Sequence, residues 1–240
     1  LPGPIAAMVE RAQHRSRKDL LDGRAPAGRD GQRHFLRGER YFELPEELAP
    51  EIPRLVGAYL DALGDRAPGH AASWTIDDTA LRIAGTGSLG VTRIAVLVRD
   101  KDEVQRIVEL KEARASATEA LFQPPSGKWQ SAAERVVFAA RALVGNPPRQ
   151  LAPVTTDGMS FAARKLFPQE DKLRLDDLRA GPKLDAVVTT IGHVLGRAHA
   201  HGAVNRPAEP WSRAETSAVI NHAIELAGLF ESIYLAYVRG

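Results

Sequence analysis

Three glycines in the stretch "IAGTGSLG", Gly85, Gly87 and Gly90, have the spacing G-x-G-x-x-G, which serves two unrelated ways of holding a phosphate chain. In both, glycine tolerates φ > 0 and lets backbone N–H groups approach phosphate oxygens. The residues that follow decide between them. A dinucleotide-binding turn opens a helix whose N-terminus receives the pyrophosphate. Here the run after Gly90 is "VTRIAVLV", with Val91, Thr92, Ile94, Val96 and Val98, and it predicts a strand. The second scheme, that of kinases, joins two antiparallel strands by a loop folded over the phosphates. It needs a lysine on the third strand and a glutamate on the next helix to hold it. "VELKEA" supplies Lys111 at the end of a third strand-like run, and "AAERVVFAAR" supplies Glu134. Within the loop, Thr86 and Ser88 carry hydroxyls able to donate to a phosphate oxygen. Glu109, two positions before Lys111, shares its face of the strand, whereas Glu112 faces the other way.

These residues require a sheet to position them. "DTALRIAG", "VTRIAVLVR" and "QRIVELKEA" read as three strands separated by the glycine loop and the charged turn "DKDE". "SAAERVVFAARALVG" reads as a helix with Ser131 as N-cap and Gly145 as its stop. "LAPVTT-DG-MSFAARKLF" reads as two strands around an Asp-Gly turn, with the backbone of Phe161 to Leu166 placed as an adenine-facing hinge. Upstream, apolar residues at helical spacing predict a helix from Pro4 to about Asp22, with its arginines on a solvated face. A short hairpin turning near Gly38 and a helix ending at Gly64 follow. Two long helices close the chain. The expected fold is α+β: a five-stranded antiparallel sheet plus one helix, like the nucleotide lobe of a kinase, flanked by helices at both ends. The segments are 1–72 (helical), 73–168 (the glycine-loop sheet) and 169–240 (helical).

The 240 residues include 32 basic and 30 acidic ones and no cysteine. That balance does not describe a nucleic-acid surface, and the lack of thiols excludes disulfides, zinc–thiolate centres and cysteine nucleophiles. No apolar run approaches the ~18–20 residues of a membrane span, so the reading is of a cytoplasmic protein without membrane or nucleic-acid partners. His199 and His201 lie two apart on a helix and so point about 200° from each other, which does not make a metal site. The acids of "PQEDKLRLDDL" (Glu170, Asp171, Asp176, Asp177) read as a solvated loop and helix cap.

Several motifs in order, "IAGTGSLG", "LKEARASA", "AERVVFAARAL", "ARKLFPQEDKL" and "LGRAHAHG", resemble the bacterial DUF2252 family from roughly Thr79 to Ala203. The resemblance implies a kinase-like fold similar to that of aminoglycoside phosphotransferases, with ATP and magnesium as cofactors. It also implies a catalytic segment ahead of the glycine loop, with an Asp-x-His-x-x-Asn and an Asp-x-Asp pattern. Residues 1–80 contain neither; Asp77 and Asp78 in "TIDDT" come nearest. After "RAHAHGA" stands "VNRPAEPWSR", with Asn205 but no aspartate. Catalytic residues and metal ligands therefore stay unassigned. With leucine at position 1, the resemblance suggests the C-terminal portion of a longer protein. The expected function is ATP binding in a kinase-like protein, a phosphotransferase whose catalytic aspartate and metal ligands are not in this chain. Its partners would be a nucleotide and an unknown phosphoryl acceptor or protein. The alternative is a non-catalytic interaction or regulatory module.

Overall fold

Runs rich in valine, isoleucine and leucine build one antiparallel sheet, buried on both faces at its centre. The computed structural model describes residues 1–68, 74–85, 89–116, 119, 129–156, 158–169, 171–173, 178–202 and 210–239. The strands are β1 (Tyr41–Phe42), β2 (Thr75–Arg82), β3 (Arg93–Arg99), β4 (Gln105–Glu112), β5 (Leu151–Thr156) and β6 (Met159–Lys165), in spatial order β1-β2-β3-β4-β6-β5. The five expected strands are β2 to β6. The sixth, β1, pairs Tyr41 with Arg82 and Phe42 with Leu81, so the segment expected to fold back as its own hairpin adds to the sheet edge instead.

Each face of the sheet has its own core. On one, Ile94, Val96, Val98, Val108, Leu110, Val154 and Phe161 pack against α3 (Ile52–Leu63). The α3 residues Ile52, Leu55, Val56, Tyr59 and Leu63 recur at helical spacing and are all buried. The helix ends at Gly64, whose φ of 52° is readily adopted by glycine. On the other face, Ala80, Ala95, Leu97, Ile107 and Leu166 pack against Leu21, Ala25, Phe35 and Tyr41 from the N-terminal segment.

The first helix is not continuous. It divides into α1 (Gly3–Gln13) and α2 (Arg17–Asp22) because Ser16 caps α2. The Ser16 Oγ accepts from the Asp19 N–H at 3.2 Å, and the Asp19 carboxylate accepts from the Ser16 N–H at 2.7 Å. α4 (Ala132–Leu143) starts at Ser131 as expected and packs on β5, β6 and α5 (Pro182–Gly202). By contacts the chain divides into two units, Leu1–Gly202 and Ala203–Gly240; in the second, the described structure is α6 (Arg213–Arg239). Among the described residues, no helix is long and apolar enough to cross a membrane.

Two carboxylates tie the ends of β3 and β4 and give the fold an acid limit. Asp100 accepts from the N–H groups of Asp102 and Val104 and from Arg106 in the β3–β4 turn. Burial pushes its carboxyl up, but the Val104 N–H and the Arg106 guanidinium outweigh it and leave it below its ordinary value. Arg114 holds Glu112 low as well, helped by the Thr92 N–H. A folded-state value below the unfolded one adds stability above the unfolded carboxylate pKa of about 4, and that stability is lost as pH falls through the lower folded value. Melting temperature should therefore hold between pH 7 and pH 5 and fall below about pH 4. Asp100→Asn should flatten that acid limb in melts taken across the range; an unchanged limb would assign it to other carboxylates.

Candidate functional site

The loop between β2 and β3 carries the glycines. Gly85 and Gly90 both have positive φ, 78° and 81°, a conformation that other residues adopt only with strain. Thr86, Gly87 and Ser88 lie outside the described residues. The loop is tied to the sheet at its base, where Arg93 donates to the Ala84 carbonyl at 2.5 Å.

Strand register places a row of cations at this end of the sheet. Leu81 pairs with Ile94, so Arg82 comes level with Arg93, and Arg93 in turn pairs with Lys111. Alternation along each strand puts all three side chains on one face, with Glu109 one step further along the same face of β4. Glu109 is 1% exposed and holds three guanidinium groups. Arg82 donates to Oε1; Arg93 donates to Oε1 at 2.7 Å and Oε2 at 3.0 Å; Arg164 of β6 donates to Oε2 at 3.2 Å. One buried carboxylate thus fixes three arginines.

Two of those arginines reach a cavity of about 1460 Å³. Gly85, Leu89, Arg82 and Arg164 form one side. α1 contributes Arg11; Arg15, Arg24 and Arg40 come from the chain that follows it, and Lys172 also lines the cavity. Among the described lining residues, seven are cationic and two acidic, Glu39 and Asp171. Arg11 donates to Asp171 Oδ2 at 2.9 Å, and Arg15 lies 3.3 Å from Oδ1. The Lys172 N–H, followed by Arg11 and Arg15, keeps the Asp171 carboxyl below its ordinary value against the opposing effect of burial. The chemistry available here is recognition of an anion with several charges.

The structure brings some of the sequence candidates together and separates others. Gly85 lines the cavity, Gly90 closes the loop, and Lys111 stands on the same sheet face, level with Arg93. Glu134 is used elsewhere: its carboxylate accepts from the Gln130 N–H at 2.8 Å at the start of α4, and among the described residues no ion pair joins it to Lys111. The backbone of Phe161 to Leu166 is not open to an adenine ring. β6 is paired with β4 on one side and β5 on the other, and the Leu166 N–H donates to the Ile107 carbonyl.

Asp77 and Asp78 are structural. Asp77 accepts from Arg99 and Gln105, and Asp78 from the Phe35 N–H, the Thr79 N–H and Arg37. Of the cavity's described acids, Asp171 offers nothing to a magnesium ion either. Such a site uses one or two carboxylates facing the phosphates, and both Asp171 oxygens are turned to arginines. Glu170, Asp176 and Asp177 lie outside the described residues.

Sequence reasoning missed the arginines. Arg11 and Arg15 were placed on a solvated face, and Asp171 in a solvated loop, yet they meet at the cavity. One signal was available: Glu109 interrupts the apolar run "RIVELK" at an inward position, and a buried acid demands cationic partners.

A single antiparallel sheet whose loop-bearing end opens on a basic cavity makes this an α+β protein with a candidate anion-binding site. The chain belongs to the DUF2252 family, described as uncharacterized proteins conserved in bacteria, whose model matches residues 1–238. That match takes in the N-terminal segment, which lies ahead of the motifs that carry the resemblance. No curated protein and no solved structure matches the chain.

Proposed function

We propose that the protein binds a nucleoside triphosphate, ATP above all, in the manner of a kinase nucleotide lobe, with the glycine loop and Lys111 at the phosphates. The observation that carries this reading is the row Arg82, Arg93, Lys111 beneath the loop, set by register and not by local sequence. The element order supports it too: two strands joined by the glycine loop, a lysine-bearing third strand, a helix, and two further strands, all in one antiparallel sheet. Phosphoryl transfer needs in addition a metal-binding carboxylate and a residue that positions the nucleophile. The residues assigned above do neither, so the proposal is binding. The alternative, a non-catalytic interaction module, draws support from α6, which leaves Phe230, Ile233 and Tyr234 exposed.

The test is thermal stability of the chain with ATP, in magnesium and in chelator, beside Lys111→Ala. At a hundredfold excess over Kd a native-state ligand stabilises by about 2.7 kcal/mol, which raises the melting temperature of a chain of this size by about 5–10 °C. Lys111→Ala should reduce the shift at the same ATP concentration to a small fraction, with an unchanged far-UV spectrum. A folded protein that ATP does not stabilise in either condition would overturn nucleotide binding and leave the interaction module.

A further inference from the structure

The two glutamates that flank Lys111 on β4 each hold one stem of the glycine loop. The buried Glu109 accepts from Arg93 Nε at 2.7 Å and from Nη2 at 3.0 Å, and the same guanidinium donates through Nη1 to the Ala84 carbonyl at 2.5 Å. Glu112 holds the other stem twice. Its N–H donates to the Thr92 carbonyl at 2.8 Å, and its carboxylate accepts from the Thr92 N–H at 2.6 Å. Arg114 in turn donates to both Glu112 oxygens, at 2.5 Å and 3.2 Å.

Each fastening adjoins a bend. Gly85 follows Ala84 directly, Gly90 stands two residues before Thr92, and their φ values are 78° and 81°. Glycine loses more conformational freedom on ordering than any other residue. Fixing the carbonyl at Ala84 and the amide at Thr92 removes part of that freedom before a ligand arrives, which raises affinity without adding a contact. Lys111 lies between the two glutamates in sequence and pairs with Arg93 across the strands, so the lysine and both stems share one frame.

We propose that Glu109, acting through Arg93, and Glu112, acting on Thr92, are positioning residues that hold the glycine loop in its phosphate-binding form, in register with Lys111. The inference rests on the reading of the loop as a phosphate cradle, and it adds the residues that preform that cradle. The motif "VELKEA" then carries the lysine and both loop fastenings on one strand, while Glu134 serves the start of α4.

The experiment uses the full chain with Glu112→Ala, Glu112→Gln and Arg93→Lys. Asp100→Asn is the control for stability alone, because Asp100 fastens the opposite end of β3 and β4. Amide hydrogen exchange of the peptide from Ala84 to Thr92 is read by mass spectrometry without ligand, and ATP affinity by isothermal titration in magnesium and in chelator. Glu112→Ala should speed exchange in that peptide and weaken ATP, each by about tenfold, the scale of one charge-assisted hydrogen bond. Arg93→Lys should do the same, since one ammonium cannot bridge Glu109 and Ala84 as the planar fork does. Glu112→Gln keeps an acceptor oxygen for the Thr92 N–H and should recover most of both losses, and Asp100→Asn should change neither. Unchanged exchange in Glu112→Ala and Arg93→Lys would overturn the fastenings. Faster exchange with ATP affinity untouched would overturn the positioning role and leave nucleotide binding standing. An equal loss of affinity in Asp100→Asn would reduce the effect to stability and overturn it as well. A wild-type chain that binds no ATP in either condition would remove the nucleotide reading and this inference with it.

Discussion

Glu109→Ala should lower the stability of the protein by about 3–5 kcal/mol, because it removes the shared acceptor of a buried ionic cluster. Arg82, Arg93 and Arg164 converge on that carboxylate, which is 1% exposed. Without it, guanidinium groups from β2, β3 and β6 lose the acceptor on β4 that they share. For a chain of this size the loss corresponds to a fall in melting temperature of about 6–20 °C. Glu109→Gln keeps the shape and one acceptor oxygen while removing the charge, and it should fall between wild type and the alanine variant. The same substitutions should weaken any anion at the cavity, since Arg82 and Arg164 reach its wall. Equal and small effects of alanine and glutamine on melting would show that the carboxylate does not hold the cluster.

Asp78→Ala has the second largest expected effect, about 2–4 kcal/mol, and its readout is local. Asp78 is the acceptor for the Phe35 N–H at 2.7 Å, the Thr79 N–H at 2.8 Å and the Arg37 guanidinium at 3.1 Å. Hydrogen bonds to a charged group contribute roughly 1.5–3 kcal/mol each, and part of that is recovered by water when the site opens. The loss falls on the attachment of residues 33–42, which reach the sheet through Phe35, Tyr41 and β1. Limited trypsin digestion should therefore cut faster at Arg33 and Arg37 in Asp78→Ala, before the sheet itself unfolds. Asp78→Asn retains one acceptor oxygen and should open less. Cleavage first at the C-terminal helices, with Arg33 and Arg37 still protected, would rule out Asp78 as the fastening of this segment.

Asp78 also illustrates how much of the site the sequence disclosed. Adjacent aspartates before a glycine loop resemble metal ligands, and in one dimension nothing separates that role from a staple. The separation comes from partners 41 and 43 residues away, brought close by the fold. Strands β2 to β6, the helices α3 and α4 and the caps at Ser131 and Gly64 were legible because each rests on local periodicity or turn chemistry. Lys111 was legible as a strand-borne lysine, but its alignment with Arg93 and Arg82 depends on the register of three strands. Glu134 followed the pattern of a kinase helix, and the demand for a cap at the start of α4 was met by the same carboxylate. The two-residue β1 has no period to read; it exists because Tyr41 stacks on Phe35, with ring centroids 4.8 Å apart, and fills the core beside Ala80.

That short strand has a consequence for how chains of this kind meet one another. A sheet grows when a second chain offers backbone to an open edge, and long flat edges invite it. Here β1 covers the Leu81–Arg82 end of β2, Arg37 takes the Thr79 carbonyl beside it, and the other edge is β5, where Pro153 has no N–H to donate. Strand-by-strand addition therefore meets a stop at either side, which protects a strongly apolar sheet from aggregating through its edges.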